Sequence, residues 1–142
     1  MHLVYKLLNR SNVEASTILR EVECSQEELH VRKLVDASLF TGTLYEHTSN
    51  ALEELEVVYV EQPKIPPSLP KHHQHVYGYT VEYYEQLDDS LRLVQSKNFA
   101  DFASIVTRLL DHYTVLGGKD YELTYTILDE NRGCVLIYVK PE

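Results

Sequence analysis

A run of prolines near the middle of the chain constrains its fold more than any other feature. Residues 62–70 have the sequence QPKIPPSLP, with four prolines. Because proline fixes φ and lacks an amide hydrogen, this run excludes helix and central strand and favours a stiff, extended connector. We therefore predict three segments, namely a first part at 1–62, a connector at 63–71 and a second part at 72–142. We find no sequence repeat between the two parts.

Composition and charge limit the class of partner. The 142 residues are 44% hydrophobic and carry a formal net charge of −9. Parts this short bury little surface alone, so we expect them to share a core or to form a homodimer. A basic protein partner fits the charge better than nucleic acid or an anionic membrane does. With no signal peptide and no long apolar run, we expect a cytoplasmic protein in which Cys24 and Cys134 are reduced.

Capping patterns predict two helices in the first part. Ser11 and Ser25 each precede a glutamate by three residues, which is the spacing of a capping box. We predict helices over 12–23 and 26–39, with a strand as the alternative for 16–24 because of its β-branched residues. Residues 55–60 are typical of a strand, and residues 43–47 of a weaker partner strand. The apolar segment 3–8 has an ambiguous period.

This order of elements resembles a winged helix-turn-helix over residues 3–61. The stretch LVDASLFTGTL at 34–44 is similar to the passage from recognition helix to wing in such domains. The resemblance implies helices at 3–9, 12–23 and 26–39 and a wing at 43–61. It also implies a nucleic-acid face formed by α-helical side chains, namely Gln26, Glu27, His30, Arg32 and Lys33. The local excess of carboxylates fits a protein-binding winged helix better.

The second part has three predicted elements. Apolar residues at steps of three and four favour a helix over 80–96, with a strand over 76–84 as the alternative. Asn98 is predicted to cap a second helix that ends at Gly117-Gly118. Residues 121–129 and 134–140 predict a β-hairpin. The predicted fold class is therefore α+β, with a helical, winged-helix-like N-terminal part, the proline connector, and two helices packed on a C-terminal antiparallel β-hairpin.

Two groups of side chains are candidates for binding. Three imidazoles could supply nitrogen ligands to a divalent metal if His47, His112 or a carboxylate completed the set, although a solvated loop is the simpler interpretation; they are His72, His73 and His75. Four tyrosines could line a ligand pocket or anchor an interface, although core packing is the simpler interpretation; they are Tyr77, Tyr79, Tyr83 and Tyr84.

No pattern in the chain indicates catalysis. Neighbouring acidic residues on a helix do not face one another, no serine lies in a GxSxG turn, and Gly117-Gly118-Lys119 lacks the rest of a phosphate-binding loop. We therefore expect a non-catalytic regulatory or adaptor module without a cofactor that binds another protein. The alternatives are a winged-helix DNA-binding regulator and a small-molecule or metal-binding domain.

Overall fold

The computed structural model describes all 142 residues, which form ten strands and two short helices. A single 3₁₀ turn covers Val13–Ala15. The helices are α1 (Gln26–Leu34) and α2 (Phe102–Leu109). The strands are β1 (His2–Leu7), β2 (Thr17–Glu23), β3 (Ala37–Phe40), β4 (Thr43–Leu52), β5 (Glu56–Glu61), β6 (Tyr79–Gln86), β7 (Leu91–Phe99), β8 (Tyr113–Leu116), β9 (Lys119–Asp129) and β10 (Cys134–Pro141).

All ten strands belong to one mixed sheet. Its order is β2-β1-β5-β4-β3-β9-β10-β6-β7, with β8 hydrogen-bonded to β9 alone. The pairs β1–β5, β3–β9 and β6–β10 are parallel, and the others are antiparallel. Strands β2 and β7 are the two outer strands, and the short parallel pair β3–β9 joins the halves of the sheet.

The sheet consists of two halves with the same architecture. Residues 2–61 (repeat 1) and residues 79–141 (repeat 2) each contain two strands, a helix and three strands in the same order. Their strand pairing also corresponds, because β1, β2, β4 and β5 are bonded to one another as β6, β7, β9 and β10 are. Val31 of α1 and Ile105 of α2 lie in one apolar cluster, so both helices cover the same face of the sheet. The chain therefore has a structural repeat that we did not find in the sequence.

Local chemistry explains why the two halves fold alike. Ser25 and Asp101 cap the two helices, each accepting a hydrogen bond from the backbone N–H three residues later. Each repeat then has a tight turn with two successive positive φ angles, 51° and 78° at Thr41-Gly42 and 57° and 77° at Gly117-Gly118. Residues 25–54 and 101–130 align without a gap. The identical pairs are Arg32/Arg108, Leu34/Leu110, Gly42/Gly118, Tyr45/Tyr121, Glu46/Glu122, Thr48/Thr124, Leu52/Leu128 and Glu54/Glu130.

Apolar side chains pack on both faces of the sheet. One cluster lies between the helices and repeat 2, and a second lies between α1 and repeat 1. A third lies on the opposite face, which we call the back face, where Leu69 and Val76 pack against a cluster that includes Leu136 and Tyr138. The segment 62–78 therefore covers the back face of repeat 2.

The winged-helix prediction is wrong for the first part. Residues 3–9 and 12–23, predicted there as helices, form strand β1 and the edge strand β2. The alternative strand at 16–24 was the better interpretation, because Thr17, Ile18 and Val22 are β-branched. Helix α1 begins after Ser25 as predicted but ends at Leu34, and residues 37–40 continue as strand β3. The predicted strand pair at 43–47 and 55–60 is confirmed by the pairing of β4 with β5.

The predicted helix pair of the second part is also wrong. Residues 80–96 form most of the antiparallel pair β6–β7. Asp101 rather than Asn98 caps α2, and Gly117-Gly118 form the β8–β9 turn rather than the end of a helix. The hairpin of 121–129 and 134–140 is confirmed as β9–β10. The structure is therefore mostly β-sheet, and the predicted α+β class with a helical N-terminal part is incorrect.

Candidate functional site

A groove lies on the back face of repeat 2, between the proline-rich segment and the β6–β7 hairpin. Its volume is about 580 Å³, within the range of small-ligand and peptide pockets. One wall is formed by residues 68–71 of the connector, including Leu69, together with His72. Tyr84, Leu91 and Leu93 of the hairpin complete the surface, which we call the connector groove. The groove therefore combines an aliphatic surface with a phenol hydroxyl.

The register of the hairpin places these side chains together. Tyr84 lies opposite Leu93, and a β-bulge separates this pair from Tyr83 and its partner Gln95. Because successive side chains of a strand point to opposite faces, Tyr83 packs in the core beneath the helices while Tyr84 faces the connector. Leu93 is 46% exposed. An aliphatic side chain of a ligand can therefore contact the groove without any rearrangement of the core.

A buried ion pair lies beneath the groove. Arg132, in the β9–β10 turn, donates two hydrogen bonds to Glu82, of 2.6 Å to Oε1 and 2.8 Å to Oε2. The hydroxyl of Tyr84 donates to Oε1 of the same carboxylate at 2.8 Å. His72 Nε2 lies 3.2 Å from this hydroxyl. This chain of contacts, which we call the Glu82 network, fixes the orientation of Tyr84.

The same network attaches the connector to the sheet. Arg132 Nε donates to the carbonyl of Gln74 at 3.1 Å, and the Val76 N–H donates to the carbonyl of Arg132 at 2.7 Å. The hydroxyl of Tyr138 donates to the carbonyl of Ser68. Backbone groups along residues 68–76 therefore have partners in repeat 2, so the wall of the groove is held in place.

Burial and charge set the ionisation of these groups. Burial acts to raise the pKa of Glu82, but the hydrogen bonds from Arg132 and Tyr84 outweigh it and hold the pKa below its usual value. Burial and the neighbouring carboxylate raise the pKa of the Tyr84 hydroxyl. Burial also raises the pKa of the Cys134 thiol to about 12. Tyr84 is therefore a neutral hydrogen-bonding group at neutral pH, and Cys134 is an unreactive thiol.

The four predicted tyrosines occupy different environments. Tyr84 faces the connector groove, and Tyr83 is fully buried in the core. Tyr79 packs its ring edge-on against Phe102, with ring centres 4.9 Å apart. Tyr77 is 81% exposed and packs against His75. The prediction of these tyrosines as a single ligand or interface group remains untested, but only Tyr84 lies at the groove.

The structure does not bring the predicted metal ligands together. His72, His73 and His75 are all exposed, and His72 alone of the three contacts Tyr84. No group of three histidine, cysteine or acidic side chains is arranged to hold a metal ion. His47, considered as a fourth ligand, is instead bonded to Ser38. Thus His72 has a defined place in the groove, but as a neighbour of a tyrosine.

The predicted nucleic-acid residues do not form a basic face. Arg32 is buried, and it donates hydrogen bonds to Glu28 and Glu130. Lys33 forms an ion pair with Glu56. Gln26 and His30 are exposed on α1 beside further carboxylates. The positive charges of this helix are therefore neutralised within the chain.

Sequence reasoning missed the residues that build the groove. Glu82 lies between two buried residues of β6, and Arg132 lies in the last hairpin turn. A carboxylate within a buried strand needs a cation as a partner. The position of Glu82 in such a strand was the one sequence feature that could have indicated its pairing with a cation. No sequence pattern indicated that Leu69 and Leu93 belong to one surface, because only the folded connector brings them together.

Comparison with known protein families, curated proteins and solved structures gives no match to this chain. Neither helix has the length or apolar character that a membrane crossing requires. The geometry of the chain is therefore the basis for any statement about its function.

Proposed function

We propose that this chain is a non-catalytic binding module that holds an extended segment of a partner protein in the connector groove. The observation that carries the proposal is the position of the groove, which opens beside β7, an outer strand of the sheet. An extended segment can lie across the groove and add its backbone to this free edge. Leu69, Leu91 and Leu93 offer an aliphatic anchor site, and Tyr84 offers a fixed hydroxyl.

A comparison of the two outer strands supports this choice. The other outer strand, β2, carries Arg20, Glu21 and Glu23, and such charges discourage strand addition. Strand β7 carries two charged residues, Arg92 and Lys97, against three on β2, and it exposes Leu93 at its groove end. Its free edge is therefore slightly less protected than that of β2.

Overall charge favours a basic partner. The net charge of −9 attracts cationic segments over distances of about one Debye length, ~8 Å at physiological ionic strength. At the mouth of the groove, Asp89 supplies a carboxylate and Lys71 an ammonium group. We therefore expect a segment with one aliphatic anchor residue and a net positive charge.

Selection from a random peptide library displayed on phage tests the proposal. We expect the intact chain to enrich peptides that contain an aliphatic anchor and basic residues. Leu93→Glu should weaken binding of the selected peptides at least about tenfold, because a carboxylate would enter the aliphatic surface. Ile18→Glu is the matched control, since Ile18 is 56% exposed on the other outer strand, and it should leave binding unchanged.

Three results would contradict the proposal: no enrichment, binding that Leu93→Glu does not weaken, or equal loss in both variants. A compact organic ligand that copurifies in the groove and competes with no peptide would favour the small-molecule alternative instead. Chemical-shift perturbation of Leu69 and Leu93 methyl groups distinguishes these cases, since it locates whatever binds.

A further inference from the structure

A second cavity borders the outer strand β7, on the face of the sheet opposite the connector groove. Its volume is about 580 Å³, and it lies between β7 and the tight turn that joins β8 to β9. Its apolar lining residues, Val94, Leu116 and Tyr121, belong to the cluster beneath the helices or pack against it. The free edge of β7 therefore has a groove on each face of the sheet.

Two cations line this cavity, and no acidic residue does. Arg92 of β7 and Lys119 of β9 supply the positive charges, and Gln95 adds a side-chain amide. This lining is opposite in sign to the net charge of the chain, which is −9. A concave site with a local positive charge attracts an anionic group. We call this cavity the cation pocket.

Both cations of the pocket have binding capacity that the chain does not use. Nη2 of Arg92 donates to Glu85 and, at 3.5 Å, to the hydroxyl of Tyr121. The Nε and Nη1 groups of Arg92 have no partner in the chain, and 51% of the side chain is exposed. Lys119 forms no ion pair, and its ammonium group lies 5.6 Å from the centre of the Tyr121 ring. One edge of a guanidinium and one ammonium group are therefore available to a ligand.

The corresponding positions of repeat 1 carry no charge. The two β-bulges align the first hairpins of the repeats, so that Arg92 corresponds to Thr17. In the gap-free alignment, Lys119 corresponds to Thr43. Repeat 1 therefore forms the same architecture without either cation, which shows that the shared fold does not require them. A role in binding accounts for their presence in repeat 2 alone.

The alternation of side chains along β7 connects the two grooves. Leu91 and Leu93 line the connector groove, and Arg92 between them lines the cation pocket. Residues 91–93 pair with residues 84–86 in an unbroken register. An extended segment that is added to this edge has the same alternation, so its neighbouring side chains enter opposite grooves.

We propose that the cation pocket binds an acidic side chain of the partner segment, directly next to the aliphatic anchor residue that enters the connector groove. The inference rests on the function proposed above and specifies part of the sequence that is recognised. The anchor lies opposite Leu93, and the acidic residue lies opposite Arg92, where its carboxylate contacts Arg92 and Lys119. The basic residues expected of the partner lie outside this pair.

A carboxylate is the group that fits the cation pocket. A guanidinium donates parallel hydrogen bonds to the two oxygens of a carboxylate, and the adjacent ammonium group adds a second positive charge. A basic side chain at this position would be repelled, and an uncharged one would leave both cations with water as their partner. Charge complementarity therefore identifies the chemistry of the residue that enters the pocket.

A phage library with a partly fixed sequence tests the proposal. Each displayed peptide has a centre of leucine–X–leucine, in which X is glutamate, glutamine or lysine at equal frequency, between random flanks. A leucine then lies opposite Leu93 in either strand orientation. Sequencing of the peptides that the intact chain retains should show glutamate enriched about fivefold over glutamine, as expected for partly exposed ion pairs, with lysine depleted.

Substitutions in the pocket should change this preference. Lys119→Glu should favour lysine over glutamate at X, because it places a carboxylate in the pocket. Arg92→Gln and Lys119→Gln should each reduce the enrichment of glutamate. Lys64→Glu is the matched control, since it changes the net charge equally at an exposed position beside repeat 1, and it should retain the preference for glutamate.

The outcomes separate this inference from the function on which it rests. Equal enrichment of the three centres, by a chain whose Leu93→Glu variant loses binding, would overturn the cation pocket and leave the connector groove as a binding site. A glutamate preference that Lys119→Glu does not change, or that Lys64→Glu abolishes as well, would also overturn it. Absence of any enrichment, or enrichment that Leu93→Glu does not reduce, would overturn both proposals.

Discussion

Repeat 1 and repeat 2 share one strand order, yet only repeat 2 has a buried ion pair on its back face. The β-bulges that follow Tyr5 and Tyr83 align the two first strands. Val4 of repeat 1 then corresponds to Glu82, and Lys6 corresponds to Tyr84. The strand pairing is the same at these positions, so the side chains decide which contacts these strands can make.

A longer turn supplies the remaining partner. In repeat 1 the β4–β5 turn spans residues 53–55, whereas in repeat 2 the β9–β10 turn spans residues 130–133 and contains Arg132. At this place repeat 1 has only a partly exposed group of contacts, in which Glu53 accepts hydrogen bonds from the hydroxyl of Tyr59 and, at 3.4 Å, from Lys6. Substitutions within the strand and a longer turn therefore account for the buried ion pair beneath the connector groove.

The largest expected difference between the repeats concerns this ion pair. Arg132→Ala should reduce the free energy of unfolding by about 4 kcal/mol, because it leaves Glu82 buried without a cation. Urea denaturation measures the change. The matched change in repeat 1, Lys6→Ala, should cost less than about 1 kcal/mol. The double variant Glu82→Leu/Arg132→Met should recover most of the loss, and a loss in the double variant as large as in the single one would contradict this account.

Two corresponding leucines, Leu128 of repeat 2 and Leu52 of repeat 1, should differ almost as much. Leu128→Ala should cost about 3 kcal/mol, because it leaves a cavity beneath α1. Leu52→Ala should change the stability of the monomer by less than about 0.5 kcal/mol, because its side chain is exposed. Thermal denaturation at low protein concentration compares the two. Equal losses would mean that the side chain of Leu52 is buried in solution.

A third difference depends on pH. His47 of repeat 1 corresponds to Leu123 of repeat 2, and burial lowers the pKa of His47 to about 4. The unfolded chain binds this proton near pH 6.5, so stability is lost as the pH falls from about 6.5 to 4.

His47→Leu, which introduces the residue of repeat 2, should remove up to about 2 kcal/mol of this loss. The value is below that for a fully buried imidazole because the side chain is partly exposed. Unfolding free energies of both proteins at a series of pH values measure the difference. Parallel pH profiles for the two proteins would show that His47 does not titrate in this way.

The smallest effects should be equal in the two repeats. Ser25→Ala and Asp101→Ala each remove the side chain that accepts from the first turn of a helix. Each should cost about 1 kcal/mol. Unequal losses in chemical denaturation would show that one helix contributes more to the shared core than the other.

The parts of the fold that sequence reasoning predicted were those with strong local chemistry. The cap at Ser25, the strand pair β4–β5 and the hairpin β9–β10 each depend on neighbouring residues and were predicted. The prediction failed for β6 because five consecutive residues of this strand, 80–84, are buried. In a strand that is buried on both faces, apolar and polar residues do not alternate. The spacing of its apolar residues can therefore match that of a helix.

The repeat and the site were beyond local reasoning for another reason. The residues that are identical between 25–54 and 101–130, such as Arg32/Arg108 and Thr48/Thr124, are scattered along the sequence. Their correspondence becomes visible only in the strand pairing. Tyr84 and His72 were named as candidates, but Arg132 was not, because its partner Glu82 is fifty residues away in the chain. The division of the chain at residues 63–71 into two folding parts remains a prediction.

The β3–β9 junction also has a consequence for biosynthesis. Asp36, just before β3, bonds to Thr126 of β9, and these residues are 90 positions apart. At a translation rate of about 5–20 residues per second, β9 follows β3 from the ribosome by roughly 5–20 s. During that interval Ala37 and Leu39 form a free apolar edge, and pairings between residues so distant in the chain form slowly. We therefore expect nascent chains to be most prone to aggregation after repeat 1 is made and before β9 reaches it.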